Sequence, residues 1–353
     1  NDKGELNYIV GREQTSGNIH SDQYRKTEDS EWIDVFNIDR HAEDNPLYFE
    51  GLSIEPNIIF LSNYDTNGGL TLYRYNVNTQ QIINEVAVSH NKVGITSYYI
   101  QEGELHSYKY FDGKENTIYL GEIEQRVQKI MQSSFPNSNY NIIDETKDKE
   151  KFILFISSPR EPGSYYLLDL NSNKLEMLGY IYQKVDPEKL NKTEIVNFTA
   201  RDGIELQGFI TFPKRAKENS PTVVIAHHGP NNRARWGFDP LIQFLSSNGY
   251  AVLEVNYRGS TGYGKNFIDL AKEEWAGNII EDINDGTKWM IDQGYSDPNN
   301  ICIYGEKYGG YAALMATIKD EKLYNCVAVR TPLIDVYFAN PRFHKTNSNG
   351  FYT

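Results

Sequence analysis

The sequence predicts two domains: a partial β-propeller over residues 1–190, then a mostly parallel α/β sheet over residues 191–353. Three observations predict it. The chain has 353 residues, more than one compact domain usually holds. From Trp32 to about Leu190, short apolar-aromatic runs are separated by Asn, Asp and Gly turns, the texture of paired strands. After Asp186-Pro187, strand and helix patterns alternate, which specifies a largely parallel sheet covered on both faces.

The first thirty residues, Asn1 to Ser30, are polar and read as an arm or a frayed strand. Ile58-Ile59-Phe60-Leu61 then leads through Asp65-Thr66-Asn67-Gly68-Gly69 into Leu70 to Tyr75, with another turn at Asn76 to Thr79. The same grammar recurs at Phe152 to Ile156, Pro159 to Gly163, Tyr165 to Leu170 and Asn171 to Asn173. The copies lie about 94 residues apart, close to two propeller blades of ~40–50 residues each. A plain β-sandwich alternates similarly, and the repeat tips the reading toward the propeller. About three or four blades fit, at the bottom of the ~4–8 of closed propellers, so strand edges and self-association are expected. Ile123 to Met131 carries apolar residues at helical spacing, and Asp144 to Lys151 alternates in sign like a solvated turn.

In the second domain, Glu194 to Thr199 and Glu205 to Phe212 are strands flanking the turn Arg201-Asp202-Gly203. Strands follow at Thr222 to His228, Ala251 to Tyr257, Asn300 to Tyr304 and Asn325 to Arg330. Helices are expected at Pro240 to Ser247, Asn278 to Gln293 and Gly309 to Ile318.

Composition narrows the function classes. A net charge of −13 without a visible basic patch opposes nucleic acid or an acidic membrane as partner. No apolar run approaches the ~20 residues of a membrane-spanning helix. Cys302 and Cys326 sit in apolar runs and read as buried free thiols. His227 and His228 are adjacent and no third ligand is spaced to join them, so neither metal nor other cofactor is expected. The chain opens on Asn1 and shows no secretory signal; a cytoplasmic location is the expectation, and a trimmed start would leave export open.

The chemistry is expected where the strand ending at Tyr304 meets the helix near Tyr308, across Gly305-Glu306-Lys307-Tyr308-Gly309. An α/β-hydrolase places Gly-x-Ser-x-Gly at such a strand-turn-helix elbow, lifting a hydroxyl above the sheet. Gly305 and Gly309 are present and Gly310 follows, but Lys307 stands in the nucleophile position.

Around this elbow the resemblance becomes specific. Asn256-Tyr257-Arg258-Gly259-Ser260-Thr261-Gly262-Tyr263-Gly264, Asp282 to Trp289, Tyr304 to Ala312, Gly237-Phe238-Asp239-Pro240 and Asp297-Pro298 resemble the catalytic domain of the prolyl oligopeptidase family. The acylaminoacyl-peptidase and dipeptidyl-aminopeptidase-like members are closest, and Ser158 to Leu170 resembles a blade of their propeller. The resemblance implies a partial α/β-hydrolase fold preceded by a partial β-propeller, and serine-peptidase chemistry on short peptides through an acyl-enzyme. It also implies an oxyanion hole from the backbone N–H of Tyr308 and the loop His227, His228, Gly229. Tyr257 and Arg258 read evenly as substrate contacts or as packing residues.

Three departures alter that expectation. The family's serine is Lys307; His228 replaces a glycine of the His-Gly-Gly-Pro loop; and Thr353 lies 46 residues beyond Lys307, before the two later strands that carry the acid and the base. Asp335 and His344 have the right order but fall too early in the topology. The reading is therefore a non-catalytic derivative, a pseudopeptidase or truncated product, binding short peptides if it binds at all. The alternative is a fragment of an active serine-type exopeptidase or oligopeptidase. A third chemistry would use Lys307 itself as nucleophile, against an ammonium paired with Glu306 or reaching to water.

Overall fold

A computed structural model describes residues 8–12, 19–25, 29–39, 47–65, 68–87, 94–215 and 217–334. Asp335 and His344 lie outside the described residues.

Four antiparallel sheets come first. They run through Tyr8–Arg12, Ile19–Tyr24 and Ile33–Asp39; through Tyr48–Leu52, Ile58–Tyr64, Leu70–Asn76 and Gln81–Ala87; through Ile95–Gln101, Glu104–Asp112 and Lys114–Tyr119; and through Asn139–Glu145, Lys151–Ser158, Glu161–Asp169 and Lys174–Tyr180. The repeated grammar marks the two central strands of each four-stranded sheet, with one sheet between them, as the spacing of two blades requires. Part of the expected arm, Asn1 to Ser30, is instead paired: Tyr8–Arg12 and Ile19–Tyr24 form an antiparallel ladder with Ile33–Asp39. The expected helix spans Glu122–Ser134 and buries Val127 and Met131.

The α/β part has six strands: β1 (Thr193–Thr199), β2 (Glu205–Thr211), β3 (Ser220–Ala226), β4 (Ala251–Asn256), β5 (Ser296–Glu306) and β6 (Cys326–Arg330). Their order is β1-β2-β4-β3-β5-β6; the β1-β2-β4 pairs are antiparallel and the rest parallel. Helices α1 (Pro240–Ser247), α2 (Asn278–Asp292) and α3 (Tyr308–Lys319) make the crossovers. Helix α1 starts where its residues dictate. Pro240 suits the first turn, and the Asp239 carboxylate accepts from the N–H groups of Leu241 at 2.8 Å and Ile242 at 3.1 Å. The central strands are near-continuous apolar runs because both faces are covered, and Val224, Leu253, Val255, Ile301 and Ile303 are all buried.

By contacts the chain divides into two compact units, residues 1–128 with 262–266, and 129–261 with 267–353. The sheet from Asn139 to Tyr180 thus shares a unit with the α/β sheet: Gln243 Nε2 donates to Pro159 O at 3.0 Å, and Tyr182 packs on Phe238.

The cysteine reading needs correction. Cys302 and Cys326 form a disulfide, because they are register partners on parallel β5 and β6 with Cα atoms 4.6 Å apart. Nor are they core thiols, since Cys302 is half-buried and Cys326 is exposed on β6.

Candidate active site

Strand β5 delivers its last residues to a sharp turn before α3. Lys307 takes φ +51° and ψ −121°, a conformation that costs a non-glycine residue of order 1–3 kcal/mol. Three hydrogen bonds hold it there. Its N–H donates to Arg330 O on β6 at 3.3 Å, and its carbonyl accepts from Tyr311 N at 3.2 Å and Leu333 N at 2.9 Å. The side chain is exposed. The neighbouring Glu306 carboxylate pairs with Arg330 at 2.9 Å and accepts from the Tyr304 hydroxyl, so the partner expected for Lys307 is committed elsewhere.

The elbow glycines act through volume. A Cβ on Gly305 would lie 2.0 Å from Gly309 O, and one on Gly309 would lie 2.1 Å from Ala226 O at the end of β3. A Cβ on Gly310 would meet Pro332 at 2.9 Å. The positive φ falls on Lys307 itself, not on these glycines.

The loop after β3 approaches the same turn. His227 is buried, stacked on Tyr257 with ring centroids 4.0 Å apart. Its Nε2 lies 3.0 Å from Ser260 Oγ, and the Tyr257 hydroxyl donates to His227 O at 2.8 Å. Burial lowers its pKa to about 3, so the ring is neutral near pH 7. His228 is exposed, with Nε2 2.9 Å from Asn232 Nδ2. Gly229 has no room for a side chain, as a Cβ would meet the Tyr257 hydroxyl at 2.7 Å.

Of the two readings open to Tyr257 and Arg258, the structure shows the packing one. Tyr257 is wholly buried, and Arg258 is 4% exposed. Arg258 Nε and Nη2 grip the wholly buried Asp282 at 2.9 and 2.7 Å, and Nη2 reaches Asp202 at 2.8 Å. Burial opposes the guanidinium charge, but bonds to Asp282 and then Asp202 outweigh it and move its pKa up. These residues fix the end of β4 to α2. Ser260, which sequence reasoning left unassigned, closes the network by donating to Tyr257 O at 2.7 Å. Its membership of the Asn256-to-Gly264 motif was the available signal.

A cavity of about 590 Å³ opens beside the elbow, lined by His227, His228, Trp236, Glu254, Tyr304 and Glu306. Among the described residues no group of three or more His, Cys, Asp or Glu could hold a metal ion. Glu254, also missed from the sequence, is half-buried on β4; burial, with Asp239 adding, pushes its pKa up to about 8. The folded state thus favours the protonated acid, whereas the unfolded chain ionises near its ordinary 4.5. This group destabilises the fold progressively as pH rises from about 4.5 to about 8. Glu254→Gln should therefore gain on the parent across that window, by on the order of 2–4 kcal/mol at its top. Urea unfolding at several pH values checks this; a difference independent of pH would mean Glu254 is solvated. His227 has the opposite sign, its contribution being lost as pH falls from 6.5 toward about 3.

The sequence pattern of the prolyl oligopeptidase family matches residues 236–347. The chain is 34% identical over 177 residues to dipeptidyl aminopeptidase BIII of Pseudoxanthomonas mexicana, covering 48% of this chain and 26% of that protein. It is 28% identical over 213 residues to dipeptidyl peptidase family member 6 of Caenorhabditis elegans, covering 54% and 29%. Among solved structures, a puromycin hydrolase superposes with a TM-score of 0.67 at 19% identity, over 94% of this chain and 54% of that one. That likeness supports the fold: β-propeller blades followed by an α/β-hydrolase sheet. The chain spans about a quarter of the length of these curated relatives.

Proposed function

We propose, taking as premise that this chain is a serine peptidase-like protein of the prolyl oligopeptidase family, that it engages short peptides without hydrolysing them. Lys307 carries this reading. Acyl transfer at the elbow needs a hydroxyl and an imidazole within hydrogen-bond reach of it. Lys307 supplies an ammonium on a long stem, which also occupies space a substrate carbonyl must enter. His227 is buried against Tyr257 and Ser260, and His228 faces Asn232, so neither is placed as that imidazole. Tyr308 N–H and the loop His227 to Gly229 are the proposed oxyanion donors, and they can polarise a carbonyl without cleaving it.

One observation favours the alternative, a fragment of an active serine-type peptidase in which Lys307 stands for the serine and the acid and base come from a later segment. The elbow keeps a strained backbone at 307 that a nucleophile requires and a lysine does not. Lys307→Ser alone, beside Lys307→Ser extended by a homologous carboxy-terminal segment, separates the two readings. A fluorophosphonate probe should leave the parent chain unlabelled, and Lys307→Ser alone should stay near background in turnover. Appreciable peptidase activity appearing only in the extended variant would favour the alternative. Self-association is the protein partner proposed, since among the described residues no strand pairs with the outer edge of β6, and Val327 and Val329 are exposed.

A further inference from the structure

We infer that the Cys302–Cys326 disulfide is a redox clamp on the elbow, which a dithiol reductant opens to release β6. The inference stands apart from the peptide-binding reading and from the chemistry of Lys307. Strand β6 is five residues long, and its side chains from Cys326 to Arg330 are all exposed. It buries little of its own, and among the described residues β5 alone pairs with it. Segments with so few buried contacts open well below the stability of the core. Two fastenings sit at its start: Asn325 exchanges hydrogen bonds with Ile301, and the disulfide joins the strand to β5. At its end the Glu306–Arg330 ion pair adds little, because the Arg330 side chain is 71% exposed. Yet the elbow leans on this strand. The Lys307 N–H donates to Arg330 O at 3.3 Å, and Leu333, just beyond β6, donates its N–H to Lys307 O at 2.9 Å. The cysteines are 24 residues apart, so the bond closes a loop holding the whole elbow and α3, and limits how far either can open.

The bond is within reach of a reductant. Cys326 is exposed, and both cysteines line a groove of about 540 Å³ walled by Leu241, Phe244, Tyr250 and Tyr304. A thiolate of the dithiol attacks one cysteine sulfur, forming a mixed disulfide as the Cys302–Cys326 bond breaks. The released sulfur takes up a proton. The second thiol of the reductant then displaces the remaining cysteine, which is protonated in turn. The chain gains two electrons and two protons, and the dithiol leaves as its own disulfide.

The test is hydrogen exchange on the whole chain, oxidised and after dithiothreitol, with thiol titration beside it. The oxidised chain should show no free thiol, and the reduced chain both of its two. Amides in peptides covering residues 305–311 and 326–333 should then exchange about tenfold faster, while those of β3 and β4 keep their rates. Reoxidation should restore the protection, and Cys326→Ser should exchange like the reduced chain whether or not dithiothreitol is present. A bond that dithiothreitol leaves intact until the chain is unfolded would overturn the inference, as would equal exchange in both states. Faster exchange in β3 and β4 as well would overturn it too, making the bond a staple of the whole sheet rather than a clamp on its edge.

Discussion

Asp282→Ala should lower the stability of the α/β unit by about 3–5 kcal/mol, the largest effect expected of a single side chain here. Asp282 is wholly buried and receives Arg258 N at 2.8 Å in addition to the guanidinium. Removing it strands a buried positive charge with only the half-exposed Asp202 to answer it. In a unit of this size each kcal/mol moves the melting temperature by about 2–4 °C, so the shift should be plain in calorimetry. The double variant Arg258→Met with Asp282→Leu should recover at least half the loss, because it leaves no buried charge unpaired and only the Arg258 N–H without its acceptor. A single variant as stable as the parent would mean that the pair does not hold β4 to α2.

Gly309→Ala should cost about 1–3 kcal/mol or more and open the elbow. The added methyl would lie 2.1 Å from Ala226 O and 2.8 Å from His227 O, both backbone atoms at the end of β3. Neither can swing aside as a side-chain tip would, so β3 and the start of α3 must part. Gly179→Ala is the control, since a Cβ there meets nothing within 4 Å. Equal melting temperatures for the two variants would show that the elbow is not closely packed.

The elements of the α/β sheet were legible because each is a local pattern. Helix α1 was read to its observed ends from Asp239, Pro240 and the apolar run that follows. The elbow was legible from Gly305, Gly309 and Gly310, although their contribution is close packing and the positive φ belongs to Lys307. What failed needed partners distant in sequence. For Tyr257 and Arg258 the sequence left substrate contact and packing even, and only His227, Asp202 and Asp282, which close around them, show the packing. The disulfide depends on the β5–β6 register, which nothing around Cys302 or Cys326 announces. Likewise, the shared unit of the Asn139–Tyr180 sheet and the α/β sheet depends on contacts such as Gln243 to Pro159, 84 residues apart.

Steady-state turnover of aminoacyl- and peptidyl-p-nitroanilides by the parent chain, beside Lys307→Ala, tests the central claim most directly. Anilides leave reluctantly, so they demand the full acyl-transfer machinery rather than a reactive amine alone. The account predicts rates at background for both proteins, identical within error. Turnover by the parent that disappears in Lys307→Ala would contradict it and make the lysine the nucleophile of a working peptidase.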